Sequence, residues 1–234
     1  MMLEVSGLAA GYGESQVLFG ISFEVRRGEV VTLLGRNGMG KTTTISALMG
    51  IVPPRAGEIL FEGKAIQGLP SYRVAERGLG LVPEGRQVFP NLTVRENLVA
   101  TAANRAGAPR PWTLELVLEL FPVLAERLNS MGGLLSGGEQ QMLSIGRALM
   151  TNPRLLIFDE ATEGLAPKVR GEIWRCLRTL KAAGQSILVI DKNIDALTRI
   201  AERHYILEKG QIVWQGTSEA LRENVELQHR YLGV

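Results

Sequence analysis

With 234 residues, of which 45% are hydrophobic, the chain is long enough to bury a large core as one domain. Its 26 basic and 24 acidic residues give a net charge of +2, which is too small to favour nucleic acid or an anionic lipid surface as a partner. The single cysteine, Cys176, excludes an internal disulfide, suits a reducing compartment and is expected to be a small core residue.

The sequence predicts neither a signal peptide nor a membrane anchor. Residues 3–8 are strand-like and lack the basic region and apolar core of a leader. No window of about eighteen apolar residues, the length of a transmembrane helix, occurs in the sequence. We therefore expect any membrane role to come through a partner.

Strand-like and helix-like segments alternate along the first part of the chain. Several strands show the in–out alternation of a half-buried sheet, as in Ile21, Phe23 and Val25. The predicted strands are residues 3–8, 17–25, 30–34, 58–62 and 79–82, and the predicted helices are residues 43–50 and 71–77.

From about residue 86 to residue 150, helical periodicity replaces the strand-like segments. Helices are predicted over residues 92–103, over residues 112–121 ahead of Pro122, and from just after Gly138. The alternation then resumes, with strands at 155–158, 187–190, 205–207 and 212–214 and helices at 167–183, 195–203 and 218–231. This order predicts a single α/β domain, residues 1–234, with a mainly parallel sheet and an inserted α-helical lobe, residues 86–150.

Residues 35–43 carry the most informative motif of the chain. The sequence Gly-Arg-Asn-Gly-Met-Gly-Lys-Thr-Thr contains G-x-x-x-x-G-K-[ST] between a buried strand and a helix. Its glycines let backbone N–H groups point at phosphate oxygens, Lys41 adds a point charge toward the β- and γ-phosphates, and Thr42 offers its hydroxyl to Mg²⁺. The positive end of the following helix faces the same anion. The predicted nucleoside triphosphate site consists of Gly35, Arg36, Asn37, Gly38, Met39, Gly40, Lys41, Thr42 and Thr43.

Two carboxylates follow a second buried strand. The apolar residues 155–158 lead directly to Asp159 and Glu160. An acidic residue at the carboxyl end of a strand beside a phosphate loop can help to hold Mg²⁺, and we assign Asp159 to that role. Glu160 is predicted to orient or deprotonate the attacking water as a general base. An ordinary acidic turn is the alternative interpretation.

Residues 135–141, Leu-Ser-Gly-Gly-Glu-Gln-Gln, complete a set of three motifs. On its own this segment is a helix N-terminus capped by serine. Together with residues 35–43 and 155–160 it resembles the signature sequence of ABC ATPases, and the resemblance covers essentially the whole chain. It implies a P-loop NTPase fold with an N-terminal antiparallel β portion, ATP and Mg²⁺ as cofactors, and ATP hydrolysis.

The same resemblance implies a head-to-tail dimer. In this family each ATP is held between the phosphate loop of one subunit and the signature of the other. We accordingly expect the Ser136 hydroxyl and the amides of Gly137 and Gly138 to contact the nucleotide of a partner subunit.

Two more nucleotide contacts are assigned by the resemblance. Tyr12 matches the aromatic residue that stacks on adenine, and a tyrosine in a surface turn is the alternative interpretation. Glu84 stands where the family has the Q-loop glutamine, which touches Mg²⁺ and couples to the transmembrane subunit.

Lys192 aligns with the switch histidine of the family and is the third predicted catalytic residue, after Lys41 and Glu160. It is expected to reach the γ-phosphate, or to form an ion pair with Asp191, Asp195 or Glu160. His204, which lies beyond a predicted helix, is interpreted as a polar residue ahead of a strand.

Residues 82–92 and 159–167 narrow the resemblance to the shorter ATP-binding subunit of branched-chain amino-acid importers, the LivF type. Such an importer contains two different ATPase subunits, two membrane permeases and a periplasmic binding protein. The resemblance therefore implies a heterodimer with a second ATPase subunit, on the cytoplasmic face of the inner membrane as a peripheral subunit. It implies no nucleic-acid partner.

Three alternative functions stay open. Related urea and short-amide importers share much of the pattern but usually carry glutamine where Glu84 stands. A soluble ABC ATPase working on nucleic acid, ribosomes or cluster assembly would favour tandem cassettes, a long coiled coil or a basic face. Lys192 suggests a nucleotide-gated subunit with little hydrolysis of its own, whereas the intact Lys41, Asp159 and Glu160 speak against it.

Overall fold

The computed structural model describes residues 1–105 and 107–233, in which strands and helices alternate as the sequence predicts. The strands are β1 (Leu3–Tyr12), β2 (Ser15–Val25), β3 (Val30–Leu34), β4 (Ala56–Phe61), β5 (Lys64–Ala65), β6 (Leu79–Val82), β7 (Leu155–Asp159), β8 (Ser186–Ile190), β9 (Arg203–Glu208) and β10 (Gln211–Thr217). The helices are α1 (Lys41–Leu48), α2 (Ser71–Arg77), α3 (Val94–Val99), α4 (Leu114–Leu120), α5 (Pro122–Glu126), α6 (Gly137–Met150), α7 (Pro167–Ala182), α8 (Ile194–Leu197), α9 (Ser218–Glu223) and α10 (Val225–Tyr231).

The strands form two sheets. The larger sheet has the order β10-β9-β3-β8-β7-β6, and all its neighbouring strands are parallel except β10 and β9. The smaller sheet, β2-β1-β4-β5, is antiparallel throughout. The predicted mainly parallel sheet and N-terminal antiparallel portion are therefore confirmed.

Both faces of the larger sheet are buried in hydrophobic cores. Because side chains alternate along a strand, Val30 and Leu34 of β3 join one core, and Val31 and Leu33 join the other. The first core contains residues of α6 and α7, and the second contains residues of α1 and of the antiparallel sheet. The central strand is thus fixed from both sides, and so is the start of the loop that follows it.

The described residues between β6 and β7 form helices and connecting loops but no strand, apart from an isolated bridge between Thr93 and Met131. Its helix α6 shares a core with β7, since Ile145 packs in the same cluster as Phe158. The fully buried Asn97 amide holds the segment before α3, accepting from the Phe89 N–H at 2.9 Å and donating to its carbonyl at 2.9 Å. The assignment of residues 86–150 as a separate lobe stays a prediction.

Several helix boundaries differ from those predicted, for identifiable reasons. The predicted helix 195–203 ends at Leu197, because Arg203 pairs with Val31 of β3 and so begins β9. The predicted helix 92–103 spans only Val94–Val99 and starts at a capping box formed by Thr93. The predicted helix 218–231 is interrupted at Asn224, whose side chain caps α10.

His204 lies inside β9 and not ahead of a strand, which corrects the sequence-based interpretation. It is fully buried, with Nδ1 2.7 Å from the Thr32 hydroxyl and Nε2 2.8 Å from the Ser218 hydroxyl. Ser218 donates its own proton to the carbonyl of Ala201 at 2.6 Å, so it accepts from Nε2, and Nδ1 accepts from Thr32. Burial, and then Arg222, lower the pKa of His204 to about 4.

His204 is expected to make the fold less stable at acidic pH. The unfolded chain binds a proton on this residue more readily than the folded chain, so stability falls as the pH falls below about 6.5. By about pH 5 the loss is about 2 kcal/mol. We predict that His204→Gln, which keeps hydrogen-bonding groups but does not titrate, shows a smaller drop in unfolding free energy between pH 7 and pH 5 than the wild type.

The measurement is denaturant unfolding at both pH values. His229→Gln, at an exposed position on α10, serves as the matched control and should follow the wild type. An equal pH dependence in all three proteins would refute this role of His204.

Candidate nucleotide-binding site

The phosphate loop occupies residues 35–40, between the end of β3 and the start of α1. Gly35 and Gly40 have φ angles of 140° and 107°, in the region that side chains rarely adopt. A Cβ at Gly35 would stand 2.3 Å from the carbonyl oxygen of Leu207, and one at Gly40 would stand 2.8 Å from a methyl group of Leu18. Glycine is therefore required at both positions for the loop to curl against β2 and β9.

Lys41 is the first residue of α1 and is only 6% exposed. Its ammonium group donates to the carbonyls of Gly35 at 2.8 Å and Arg36 at 3.1 Å, and it lies 3.9 Å from a carboxylate oxygen of Glu160. Burial lowers the pKa of Lys41, while Glu160 opposes that shift. The loop thus carries a buried cation inside its curl, where phosphate oxygens could replace the carbonyls as its partners.

The remaining loop residues differ in how far they are exposed to solvent. Arg36, Asn37 and Gly38 are exposed, as is Thr42 in the first turn of α1. Met39 turns toward the β9–β10 connection, where its carbonyl accepts from the Gly210 N–H at 3.0 Å. The exposed positions are the ones that a ligand can reach.

A cavity of about 260 Å³ brings the predicted groups together. Its walls include Asn37, Gly38, Gly40, Lys41, Thr42 and Thr43 from the phosphate loop and α1, together with Val17, Glu84 and Glu160. Three segments that are far apart in sequence meet here, because β3, β6 and β7 end at one edge of the sheet. The cavity therefore combines a phosphate cradle with two carboxylates.

Asp159 ends β7 and is 4% exposed, and its Oδ1 has no hydrogen-bond partner. Burial first, and then the Glu84 carboxylate, raise the pKa of Asp159 to about 6, although Lys41 opposes that shift. A buried carboxylate oxygen without a partner among the described residues, and the hydroxyl of the exposed Thr42, are both oxygen donors of the kind that Mg²⁺ prefers. Asp159 and Thr42 therefore fit the predicted metal.

Glu160 follows in a left-handed conformation, with a φ of 48°, and its N–H donates to the carbonyl of Ile190 at 2.9 Å. Burial, followed by a hydrogen bond with the Glu163 side chain, raises the pKa of Glu160 to about 7, whereas Lys192 and Lys41 oppose that shift. A carboxyl group that titrates near neutral pH is suited to accept a proton from water.

Lys192 lies beside Glu160, as expected from the predicted alternative of an ion pair with that residue. Its hydrogen-bond partner, however, is Glu163, which the sequence did not indicate. The ammonium group is 2.5 Å from a carboxylate oxygen of Glu163 and 3.6 Å from one of Glu160. Asp191 is occupied differently, since its carboxylate accepts from the Thr162 hydroxyl at 2.6 Å. Only knowledge that β7 and β8 are neighbours could have suggested the Glu163–Lys192 contact.

Two predicted elements do not line this cavity. Tyr12 is 53% exposed at the end of β1. The signature, Ser136–Gly138, starts α6, where the Ser136 hydroxyl accepts from the Glu139 N–H at 3.4 Å in a capping box. Among the described residues, neither Tyr12 nor the signature therefore contributes to the wall of this cavity.

The signature glycines have close neighbours that sequence reasoning missed. A Cβ at Gly137 would stand 2.6 Å from a guanidinium nitrogen of Arg86, and one at Gly138 would stand 2.8 Å from Val169 of α7. Gly138 is thus required for packing inside the chain, whatever it contributes to a nucleotide. Among the described residues, the nearest atoms over Gly137 belong to the flexible end of one side chain, that of Arg86.

Comparison with known proteins decides the family. The profile of the ABC transporter family matches residues 18–163. The chain is 41% identical over 232 residues to BraG of Pseudomonas aeruginosa, a high-affinity branched-chain amino acid transport ATP-binding protein, covering 99% of this chain and 100% of that protein. The chain belongs to the ABC transporter family.

Two further comparisons agree with this assignment. LptB of Escherichia coli, the ATP-binding protein of a lipopolysaccharide export system, is 35% identical over 234 residues, covering 99% of this chain and 97% of that protein. The crystal structure of a nucleotide-free ATP-binding cassette from an ABC transporter superposes with a TM-score of 0.84 at 29% identity, covering 97% of this chain and 95% of that chain. The predicted ABC ATPase fold and ATP hydrolysis are therefore confirmed, as is the resemblance to branched-chain amino-acid ATPases.

In the part of the chain that the structure describes, no helix has the length and apolar character needed to span a bilayer.

The buried cation gives a direct test of the phosphate site. We predict that Lys41→Ala weakens ATP binding by roughly 10- to 100-fold, the scale expected for the loss of charge-assisted hydrogen bonds, and abolishes hydrolysis. Calorimetric titration with ATP and an assay of released phosphate measure the two effects. Lys64→Ala, which removes an exposed lysine on β5, is the control and should change neither. Wild-type affinity in Lys41→Ala would refute the site.

Proposed function

We propose that this ABC ATPase is the ATP-binding and ATP-hydrolysing subunit of a membrane importer of branched-chain amino acids. The hydrolytic role rests on one observation, the meeting of the phosphate loop, Glu84 and Glu160 around a single cavity. The transported class rests on the full-length likeness to BraG at 41% identity, which exceeds the 35% shared with LptB.

We assign the residue roles from the cavity and from the family resemblance. The loop amides and Lys41 bind the phosphates, and Tyr12, which matches the adenine-stacking aromatic of the family, stacks on the adenine. Thr42 and Asp159 hold Mg²⁺, with Glu84 as a further oxygen donor nearby. When bound, the metal would neutralise charge on the phosphate oxygens. Glu160 accepts a proton from the attacking water, and Lys192 places a cation beside it.

A second subunit completes the site. Ser136, Gly137 and Gly138 lie outside the cavity of their own chain, and we propose that the Ser136 hydroxyl and the amides of Gly137 and Gly138 contact the nucleotide of a partner in a head-to-tail dimer. We propose a second ATPase subunit as that partner. Two permeases and, indirectly, a periplasmic binding protein complete the transporter, and the chain is peripheral on the cytoplasmic face of the inner membrane.

The division of work between the two half-sites is testable at Gly137. We predict that Gly137→Leu leaves ATP affinity of the isolated chain unchanged but lowers hydrolysis by the assembled pair by roughly 10²-fold or more, because the amides no longer approach the γ-phosphate. Calorimetry on the chain and phosphate release by the pair measure the two effects.

The leucine also displaces Arg86 in its own chain, so a second variant separates the two causes. In Gly137→Leu/Arg86→Ala the clash inside the chain is gone. If the rate of hydrolysis then returns to that of Arg86→Ala alone, the loss in Gly137→Leu comes from the clash with Arg86 and not from a lost contact to the partner's nucleotide.

The transport function is tested by reconstitution. Lipid vesicles that contain the chain, its partner ATPase and the permeases should take up radiolabelled leucine when ATP and the loaded binding protein are on opposite sides of the membrane. A complex carrying Lys41→Ala is the control and should show less uptake. Uptake of urea without leucine would indicate the short-amide class, and the absence of uptake of either solute by an ATP-hydrolysing complex would overturn the importer assignment.

A further inference from the structure

The loops that follow β7 and β8 lie side by side because the two strands are parallel neighbours. Asp159 pairs with Ile190 at the ends of the strands, and the N–H of Glu160 donates to the Ile190 carbonyl at 2.9 Å. Residues 160–163 therefore run next to residues 191–193, and together they line a cavity of about 320 Å³.

Two ties connect these loops. In the inner tie, the buried Asp191 carboxylate accepts from the Thr162 hydroxyl at 2.6 Å and from the Asn193 N–H at 3.0 Å. In the outer tie, the Lys192 ammonium group donates to Glu163 at 2.5 Å, with both side chains about half exposed. Because the inner tie connects the two loops without Lys192 or Glu163, we expect the outer tie to matter mainly for the charges around Glu160.

Lys192 is shared unequally between two carboxylates. It is at hydrogen-bond distance from Glu163 but 3.6 Å from Glu160, which is beyond that distance. The other charged groups around Glu160 are Lys41, Glu84 and Asp159 and, on the wall of the same cavity, Arg170 and Asp191. A lysine without Glu163 would be drawn onto Glu160, since among the described residues no other carboxylate is within ion-pair distance of Lys192.

We propose that Glu163 is a positioning residue for ATP hydrolysis: it holds Lys192 so that the general base Glu160 faces a charge-balanced pair instead of a single ammonium group. The inference rests on the proposed role of Glu160. Losing Glu163 alone leaves an unbalanced cation, which closes on Glu160 and competes with the attacking water for its oxygens. Losing Lys192 alone leaves an unbalanced carboxylate against Glu160. Losing both restores the balance.

The test is a double-mutant cycle on the assembled pair, with the general base of the partner inactivated so that only this site turns over. Glu163→Gln and Lys192→Met should each lower kcat roughly tenfold, with the KM for ATP unchanged within about twofold, since neither variant removes a group from the phosphate loop. The double variant should be no slower than either single variant, because no unbalanced charge is then left against Glu160 and the two losses do not multiply.

Glu76→Gln, which neutralises a partly buried glutamate paired with Arg73 and Arg105, is the matched control and should leave kcat unchanged. Multiplicative losses in the double variant, or unchanged kcat in both single variants, would overturn the inference. Glu160→Gln distinguishes a failure of this inference from a failure of the proposed function. If Glu160→Gln is inactive, either of these contrary results refutes only the role of Glu163. If Glu160→Gln turns over like the wild type, Glu160 is not the general base, and the inference fails with it.

Discussion

Four parallel strands, β3, β8, β7 and β6, are hydrogen-bonded side by side, and their carboxyl ends meet at one edge of the larger sheet. The phosphate loop leaves from β3, Lys192 follows β8, Asp159 and Glu160 end or follow β7, and Glu84 follows β6. Because the register of these ladders fixes where each loop begins, it also fixes which charges face each other. A one-residue shift in the pairing register of β7 against β8 would move the side chains of the shifted strand to the opposite face of the sheet and would separate Glu160 from Lys192.

Charge compensation within the site follows from this geometry. Lys41 is almost fully buried, and its partners in the chain are two carbonyls and the more distant Glu160. Burial is the first cause that raises the pKa values of Asp159 and Glu160, to about 6 and about 7, and it outweighs the opposing effect of Lys41 on both. An anionic ligand with a divalent cation would add a partner for Lys41 and one for the carboxylates, which links the stability of this edge to occupancy.

The sequence predicts the groups that belong to a short motif and misses those that depend on neighbouring strands. Lys41, Asp159 and Glu160 could be assigned because a strand, a glycine turn and a helix have local signals. Glu163 could not, since its contact with Lys192 requires the order of β7 and β8, which no local pattern contains. The helix predicted over residues 195–203 fails for the same kind of reason: pairing with β3 draws Arg203 into the sheet, whatever the local periodicity favours. His204 was misplaced with it.

The segment from Glu84 to Phe89 joins the nucleotide cavity to the signature of the same chain. Glu84 lines the nucleotide cavity, and two residues later Arg86 lies over Gly137. Arg86 and Gln87 both have positive φ angles, 68° and 44°, a conformation that costs roughly 1–3 kcal/mol at each residue and persists only where surrounding contacts impose it. Arg147 of α6 supplies such contacts, donating to the Gln87 carbonyl at 2.7 Å and lying over the Phe89 ring at 4.0 Å. Since α6 also begins with the signature, one strained loop is tied to both ends of that helix. The nucleotide cavity and the signature of one chain therefore cannot be positioned independently of each other.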